Sequence, residues 1–380
     1  MTYWIVFLLS VVILLKFSRK DYDKSWFCKI FVFIIFFLGV FRDTTIGTDI
    51  RLSGGGDYYS IWKTPFSSIQ SDRLEVGFLY LTSLFKSIYN SYYFYYGAIY
   101  AITIGLYFWA AKRMKINPAV FFAIFFMSST IIACYNIIRQ TLALSAGMLA
   151  YSIILYGIDN NNGFKKSSSL FRRVAIYEIL IVLLSFGIHT SVVILGVVPL
   201  FNIKTIKAML SKEIVLWGLL AFVVIINYAF SEVIQSYFLL FQSFFNLGER
   251  QEFWAEVIEK YGDNISSSHG IMSSLLVGSL AILASRGRRN NLFFIGYVGL
   301  LLTQLASVNL GTLGRLFSNL SLFLIYFYAQ IFGDLLTEYK IFGTDFRKLI
   351  VLLLILFWLS SFYFTTILNE SISPYQTYLF

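Results

Sequence analysis

The sequence predicts an all-α polytopic membrane protein, and three observations carry that prediction. Hydrophobic residues make up 58% of the 380 and charged ones only 13%, against about a quarter charged in ordinary soluble domains. Apolar runs of helical length recur from end to end, and mean hydropathy is +0.73. Cations gather in short clusters between those runs, so the net charge of +10 reads as a positive-inside pattern and not as nucleic-acid affinity. Long apolar runs with little alternation argue against an outer-membrane barrel.

Taken in order, Thr2–Phe17 is the first span. It has no basic leader and no small-residue cleavage site, so it is expected to remain as an anchor. Lys16, Arg19, Lys20 and Lys24 place the next loop in the cytoplasm, and Phe27–Phe41 returns outward. The polar stretch 42–75, broken by Gly54–Gly56 and Pro65, is expected to form an external loop with short helices. Val76–Asn90 contains Lys86, and the Tyr93–Ala111 span after it ends in Lys112, Arg113 and Lys115. A full crossing by Val76–Asn90 would put that basic cluster outside, so this segment is read as a re-entrant or interfacial helix.

Spans follow at Pro118–Tyr135 and Arg139–Gly157. Val174–Phe201, about 42 Å long as a single helix, is interrupted by Gly187-Ile188-His189. A single crossing would leave Lys204, Lys207 and Lys212 outside, so a helical hairpin bending at Gly187–His189 is expected. Glu213–Phe230, Gly270–Ser285, Asn291–Val308, Arg315–Gly333 and Leu349–Thr366 follow, with a second external loop at 231–269. The total is about twelve transmembrane helices in one integral domain, 1–380, with both termini outside.

Several chemistries are absent from this pattern. There is no GxxxxGK[ST] phosphate loop and no Gly-x-Ser-x-Gly elbow. Two histidines without HExxH argue against a zinc site, and Cys28 and Cys134 form neither a disulfide framework nor a metal spacing. The Asp21-x-Asp23 pair lies in a short basic loop with no soluble domain to hold a metal and a nucleotide-sugar. No metal and no cofactor is therefore expected.

What remains is a cationic site at the external side. Arg139 lies in IIACYNIIRQTLALSAGML, beside Gln140 and one turn after Asn136. A guanidinium at mid-bilayer costs about 2.5–3.5 kcal/mol on insertion scales, so it faces a wet cavity or a partner. Its fork of donors suits phosphate or carboxylate oxygens; an arginine snorkelling to mark a helix end fits the same stretch. Arg315, after Gly311-Thr-Leu-Gly314 at a helix start, offers a second anion clamp or a second end-marker. His189 in FGIHTSVVI is the candidate base, since its ordinary pKa lies near neutrality; a bend histidine satisfied by a carbonyl is the competing reading. Arg42, Asp43, Asp49 and Glu75, with Tyr58 and Tyr59, supply charges and rings for a carbohydrate surface. Loop salt bridges explain the same acids. Such a site suits a sugar activated by a lipid pyrophosphate, whose leaving group arginines stabilise.

Five runs then carry a resemblance: FRDTTIGTDI (Phe41–Ile50), EVGFLYL (Glu75–Leu81), IIRQTLALSAG (Ile137–Gly147), GIHTSVVI (Gly187–Ile194) and the terminal SPYQTYLF (Ser373–Phe380). In that order they resemble the EpsG-like branch of Wzy-type polysaccharide repeat-unit polymerases. Arg-Gln-x-x-Ala and His-x-Ser are the most specific pieces. RLFSNLSLF after Gly314 lacks the aromatic pair associated with the family there. The resemblance implies a GT-C-like, metal-independent enzyme of the bacterial inner membrane with its site facing the periplasm. It would move a growing chain from undecaprenyl pyrophosphate to the non-reducing end of a new lipid-linked unit, and a chain-length regulator is a conceivable partner. Catalytic roles then fall to His189, Arg139 and Arg315. Substrate contacts fall to Arg42, Asp43, Asp49, Glu75, Gln140, Tyr58, Tyr59 and Tyr375. An O-antigen ligase shares the donor and the arginines, and a flippase shares the lipid-linked substrate. A ligase's large loop comes late in the chain, and a flippase's charges spread through a cavity between repeated halves.

Overall fold

The computed structural model describes residues 2–18, 21–42, 59, 62–63, 75–135, 137–156, 167–229, 268–307, 311–335 and 346–367. Among these the regular structure is helical throughout. The chain packs as two compact units, Met1–Pro199 with Ile325–Phe380, and Leu200–Leu324.

The first unit is built on the helix Tyr92–Arg113. Ser91 caps its start by accepting from the Phe94 N–H at 3.4 Å, and Lys112 and Arg113 sit in its last turn, where cations suit the helix dipole. Tyr92, Tyr95, Tyr96, Ile99, Tyr100, Thr103 and Tyr107 are buried, at the three- and four-residue steps of one helical face. Its most extensive packing is against Ile138–Ile154. Pro118–Met127 is buried at every position, as befits a helix apolar all round. Asn117 caps it from Oδ1 to the Ala119 N–H at 2.9 Å, and Phe121 stacks on Tyr326 with ring centroids 4.3 Å apart.

That helix is shorter than the expected Pro118–Tyr135 span. It stops at Met127, and a four-residue helix, Thr130–Ala133, follows. Ser129 takes a left-handed φ of 60°, while Ser128 Oγ bonds the Phe125 carbonyl at 3.2 Å and Thr130 Oγ1 at 2.9 Å. Serine and threonine side chains here compete with the helical backbone bonds, and an apolar count does not register that.

Helix lengths bear on the membrane reading. Among the described residues, Tyr92–Arg113 is by itself long and apolar enough to cross a bilayer; Trp26–Val40, Val76–Ile88 and others are apolar but shorter. Val76–Ile88 has 13 residues, about 20 Å against a hydrocarbon core of about 30 Å.

The chain reverses at Ile188–His189. Ser167–Gly187 is an α-helix and Thr190–Asn202 a 3₁₀ helix. Tyr177 donates its hydroxyl to the Leu195 carbonyl at 3.2 Å, whereas residues so spaced on one straight helix lie about 27 Å apart. Val192, Leu195, Val198 and Phe201 are all buried, a three-residue interval that matches 3₁₀ geometry, where side chains at i and i+3 eclipse.

The second unit depends on close helix approach. A Cβ on Gly299 would lie 2.4 Å from Leu320 Cβ and 2.6 Å from the Leu320 carbonyl carbon and the Ser321 nitrogen, and one on Gly296 would lie 2.4 Å from the Leu324 nitrogen. Small residues let the helices Asn291–Ser307 and Gly311–Leu335 meet backbone to backbone. At the end of this unit Glu213 accepts from Arg286 Nε at 3.0 Å and from Arg289 Nη2 at 3.2 Å.

Gly299→Ala is expected to lower unfolding stability in detergent by about 1–3 kcal/mol, because backbone must move to admit the methyl. Gly105→Ala, with nothing within 4 Å of its Cβ, is expected to gain about 0.5–1 kcal/mol from helix propensity. Thermal unfolding of the two variants side by side reads the difference, and equal stability of both would refute the packing argument.

Candidate functional site

Three segments of the first unit meet at one point: the start of Val76–Ile88, the start of Ile138–Ile154, and the hairpin turn. Gly77 makes the approach possible, since a Cβ there would lie 2.4 Å from the Gly187 carbonyl oxygen. Glu75 precedes Val76–Ile88, and its carbonyl accepts from the Phe78 N–H at 3.0 Å. Its carboxylate turns across to the other two segments. Oε2 accepts from Arg139 Nη1 at 2.6 Å, and Oε1 accepts from the Thr190 N–H at 3.1 Å. The Glu75 and Arg139 side chains are only 12% and 19% exposed, so the charge–charge attraction is weakly screened. The Arg139 guanidinium also lies over the Phe78 ring at 5.8 Å. Gln140, next along the helix, is buried.

His189 stands on the turn, outside either arm. Its Nδ1 accepts from the Ser191 N–H at 3.2 Å and lies 2.8 Å from Ser191 Oγ. A backbone N–H only donates, so Nδ1 is the lone-pair nitrogen and the neutral ring carries its hydrogen on Nε2. Burial holds the imidazole below the ordinary histidine pKa; the Glu75 charge opposes this, and the Arg139 charge adds to it. The ring is thus neutral at pH 7, with its basic nitrogen against the Ser191 hydroxyl. The His-x-Ser spacing folds the serine back onto the ring two residues earlier. The sequence showed Thr190 and Ser191 beside the histidine, but gave neither the Thr190 N–H nor the Ser191 hydroxyl a task.

Arg42 lies in a different setting. It is fully buried, with its guanidinium over the rings of Tyr135 at 4.8 Å, Tyr96 at 4.9 Å and Tyr100 at 5.3 Å. Nη1 donates to the Gly39 carbonyl at 2.6 Å, and the Tyr96 hydroxyl donates to the Arg42 carbonyl. Nε and Nη2 are buried with no hydrogen-bond partner among the described residues. The aromatic box is a feature that sequence reading missed, because Tyr96 and Tyr100 on one helix meet Tyr135, from the turn after Thr130–Ala133, only in the fold.

The other candidates divide. Tyr59 packs edge-on against Tyr92, with centroids 5.2 Å apart, and Trp62 stacks on Tyr95 at 5.3 Å. Arg315 falls in the first turn of Gly311–Leu335; its side chain, with Asp43, Asp49, Tyr58, Asn136 and Tyr375, lies outside the described residues.

One carboxylate thus joins the Arg139 guanidinium to the Thr190 N–H, the backbone donor next to the neutral His189 ring. A family model described as the EpsG family matches residues 24–377, which takes in every segment of this site. No curated protein matches the chain, and no solved structure does. The helical architecture and the match over nearly the whole length agree: the chain belongs to the EpsG family, membrane proteins that act as Wzy-type polysaccharide polymerases.

Proposed function

We propose that this protein polymerises lipid-linked oligosaccharide repeat units, moving the growing polysaccharide from undecaprenyl pyrophosphate to the non-reducing end of a new unit. The observation that carries the reading is the Glu75 bridge between Arg139 and the His189 turn. In the free enzyme a carboxylate occupies the guanidinium, as an anionic ligand does. The donor pyrophosphate takes that place, and Arg139, with Arg315 as a second clamp, stabilises the charge that develops as the anomeric carbon–oxygen bond breaks. The acceptor hydroxyl gives its proton to Ser191 Oγ as the serine proton passes to His189 Nδ1. The new glycosidic bond forms, and undecaprenyl pyrophosphate leaves with the electron pair. Positive charge at the leaving group comes from arginine, so the scheme uses no metal, and added chelator is expected to leave the rate unchanged.

The rest of the reading extends this core. Arg42, Asp43, Asp49, Gln140, Tyr58, Tyr59 and Tyr375 are assigned to the sugars and the lipid pyrophosphate. The chain crosses the inner membrane about twelve times in a GT-C-like arrangement, with the site at the periplasmic face. A chain-length regulator is a partner to be sought. On a background without Cys28 and Cys134, single cysteines at Gly55 and Asn264 are expected to react with an impermeant thiol reagent in whole cells, and one at Ser168 to stay protected. The reverse pattern would move the site to the cytoplasm.

Purified protein given lipid-linked repeat units is expected to yield a ladder of products. Arg139→Lys, which keeps the charge and loses the planar fork, is expected to cost about 10²-fold or more in rate. His189→Ala is expected to lose about 10²–10⁴-fold while still binding donor. Near-normal ladders from either variant at normal membrane abundance would refute the mechanism.

Glu75→Gln gives a test with two readouts. The amide still accepts from Thr190 but no longer competes as an anion, so donor KM is expected to fall by about threefold to fivefold. Activity needs the neutral imidazole, so it is lost as pH falls through the His189 pKa. Removing the Glu75 charge lowers that pKa further, and the acid limb of kcat/KM is expected to move to lower pH. A shift to higher pH, or a raised donor KM, would refute the exchange.

A further inference from the structure

Two charges of opposite sign stand on apolar helix faces of the first unit. Lys29 is exposed on Trp26–Val40, on the face of the exposed Trp26, Ile30 and Phe33, which follow the three- and four-residue steps of a helix. Glu178 is half-buried on Ser167–Gly187, beside the exposed Ile179, Val182 and Phe186. Its carboxylate lies against the other arm of the hairpin, where a Cβ on Gly196 would be 2.9 Å from Oε2. Neither side chain makes an ion pair or a hydrogen bond among the described residues. Arg173, five residues before Glu178, is about 7.5 Å away along the helix and outside the three- and four-residue pairings.

Both charges lie toward one end of the unit. Lys112 Nζ is 2.9 Å from Asp23 Oδ1, and the Tyr156 hydroxyl donates to the Met114 carbonyl at 3.1 Å. Those bonds level the start of Trp26–Val40 with the ends of Tyr92–Arg113 and Ile138–Ile154. Ser167–Gly187 finishes at the Glu75 bridge, beside the start of Ile138–Ile154, so it runs from the end where Trp26–Val40 begins. Trp26 and Arg173 are exposed and suit headgroup level. Lys29 lies about 4.5 Å beyond the first and Glu178 about 7.5 Å beyond the second, a difference that a lysine stem spans.

Within one chain the two charges are kept apart. Trp26–Val40 packs on Tyr92–Arg113, that helix on Ile138–Ile154, and the last on Ser167–Gly187, so two helices stand between them. An ionised side chain facing hydrocarbon is unfavourable and calls for a partner.

We propose that copies of this chain associate in the membrane, with Lys29 of one copy paired to Glu178 of the next. Copies in one bilayer are related by rotation about its normal. Rotation preserves depth, so charges at a shared level are the ones that meet. The contact is heterologous, one helix face against a different one, and it closes into a ring or extends according to the rotation. Gly196 lets the incoming helix come close to the carboxylate. The apolar residues around each charge keep water from the pair and strengthen its attraction. The association is independent of the polymerase reading.

The test co-expresses two differently tagged forms of the full chain, both without Cys28 and Cys134. Lys29→Cys on one and Glu178→Cys on the other are expected to form a disulfide-linked dimer under mild oxidation, and either variant alone to stay uncrosslinked. Capture of one tag by the other is expected to fall by about threefold to thirtyfold when both copies carry Lys29→Glu, or both Glu178→Lys. It is expected to return when both copies carry the two substitutions together, because exchanging the charges restores the pair and does not repair a folding defect. The cross-link decides where a charge-reversed chain does not accumulate. Equal capture in all four chains, no recovery in the doubly exchanged chain at normal abundance, or a monomeric wild-type chain by subunit counting in vesicles would overturn the proposal. So would a cross-link from Glu178→Cys to a different protein with none to Lys29→Cys.

Discussion

A carboxylate and a guanidinium 2.6 Å apart with little solvent around them fix more than each other. Charges taken out of water hold together only where each finds its counter-charge, and removing one partner of a fully buried pair costs about 3–5 kcal/mol. The same Glu75 carboxylate also accepts from the Thr190 N–H, so three segments from distant parts of the chain share one electrostatic anchor. Gly77 and Gly187 remove the bulk that would keep those segments apart. The anchor sets the distance between Arg139 and the His189 turn.

The sequence exposed features written in local rules. The Gly187-Ile188-His189 interruption is where the chain reverses. Arg139 and His189 stood out because a polar residue in an apolar run needs a reason. The break at Ser128–Ser129 did not stand out, since its side-chain bonds replace backbone ones inside a stretch of unbroken hydropathy. Which partners Glu75 takes was not legible, because they lie 64 and 115 residues away, and no spacing rule reaches that far. The number of crossings also stays outside what helix length decides, because several apolar helices are shorter than a bilayer is thick.

Aromatic residues do the work that ion pairs cannot do in an apolar interior. Arg42 is surrounded by the faces of three tyrosine rings, whose negative quadrupoles stabilise a cation without themselves carrying charge. The box avoids a second buried carboxylate. It leaves two nitrogens of the guanidinium, Nε and Nη2, with no acceptor among the described residues, in contrast to Arg139, whose charge meets an anion directly.

The 3₁₀ arm of the hairpin has a consequence for how this region tolerates change in length. Its buried residues Val192, Leu195, Val198 and Phe201 form a single file, because three residues complete a turn. Losing one residue swings everything beyond it by about 120° and takes the file off its seat. Losing three restores the alignment and shortens the arm by about 6 Å. Natural variation in this arm should therefore come in steps of three, a rhythm foreign to the α-helix that precedes it.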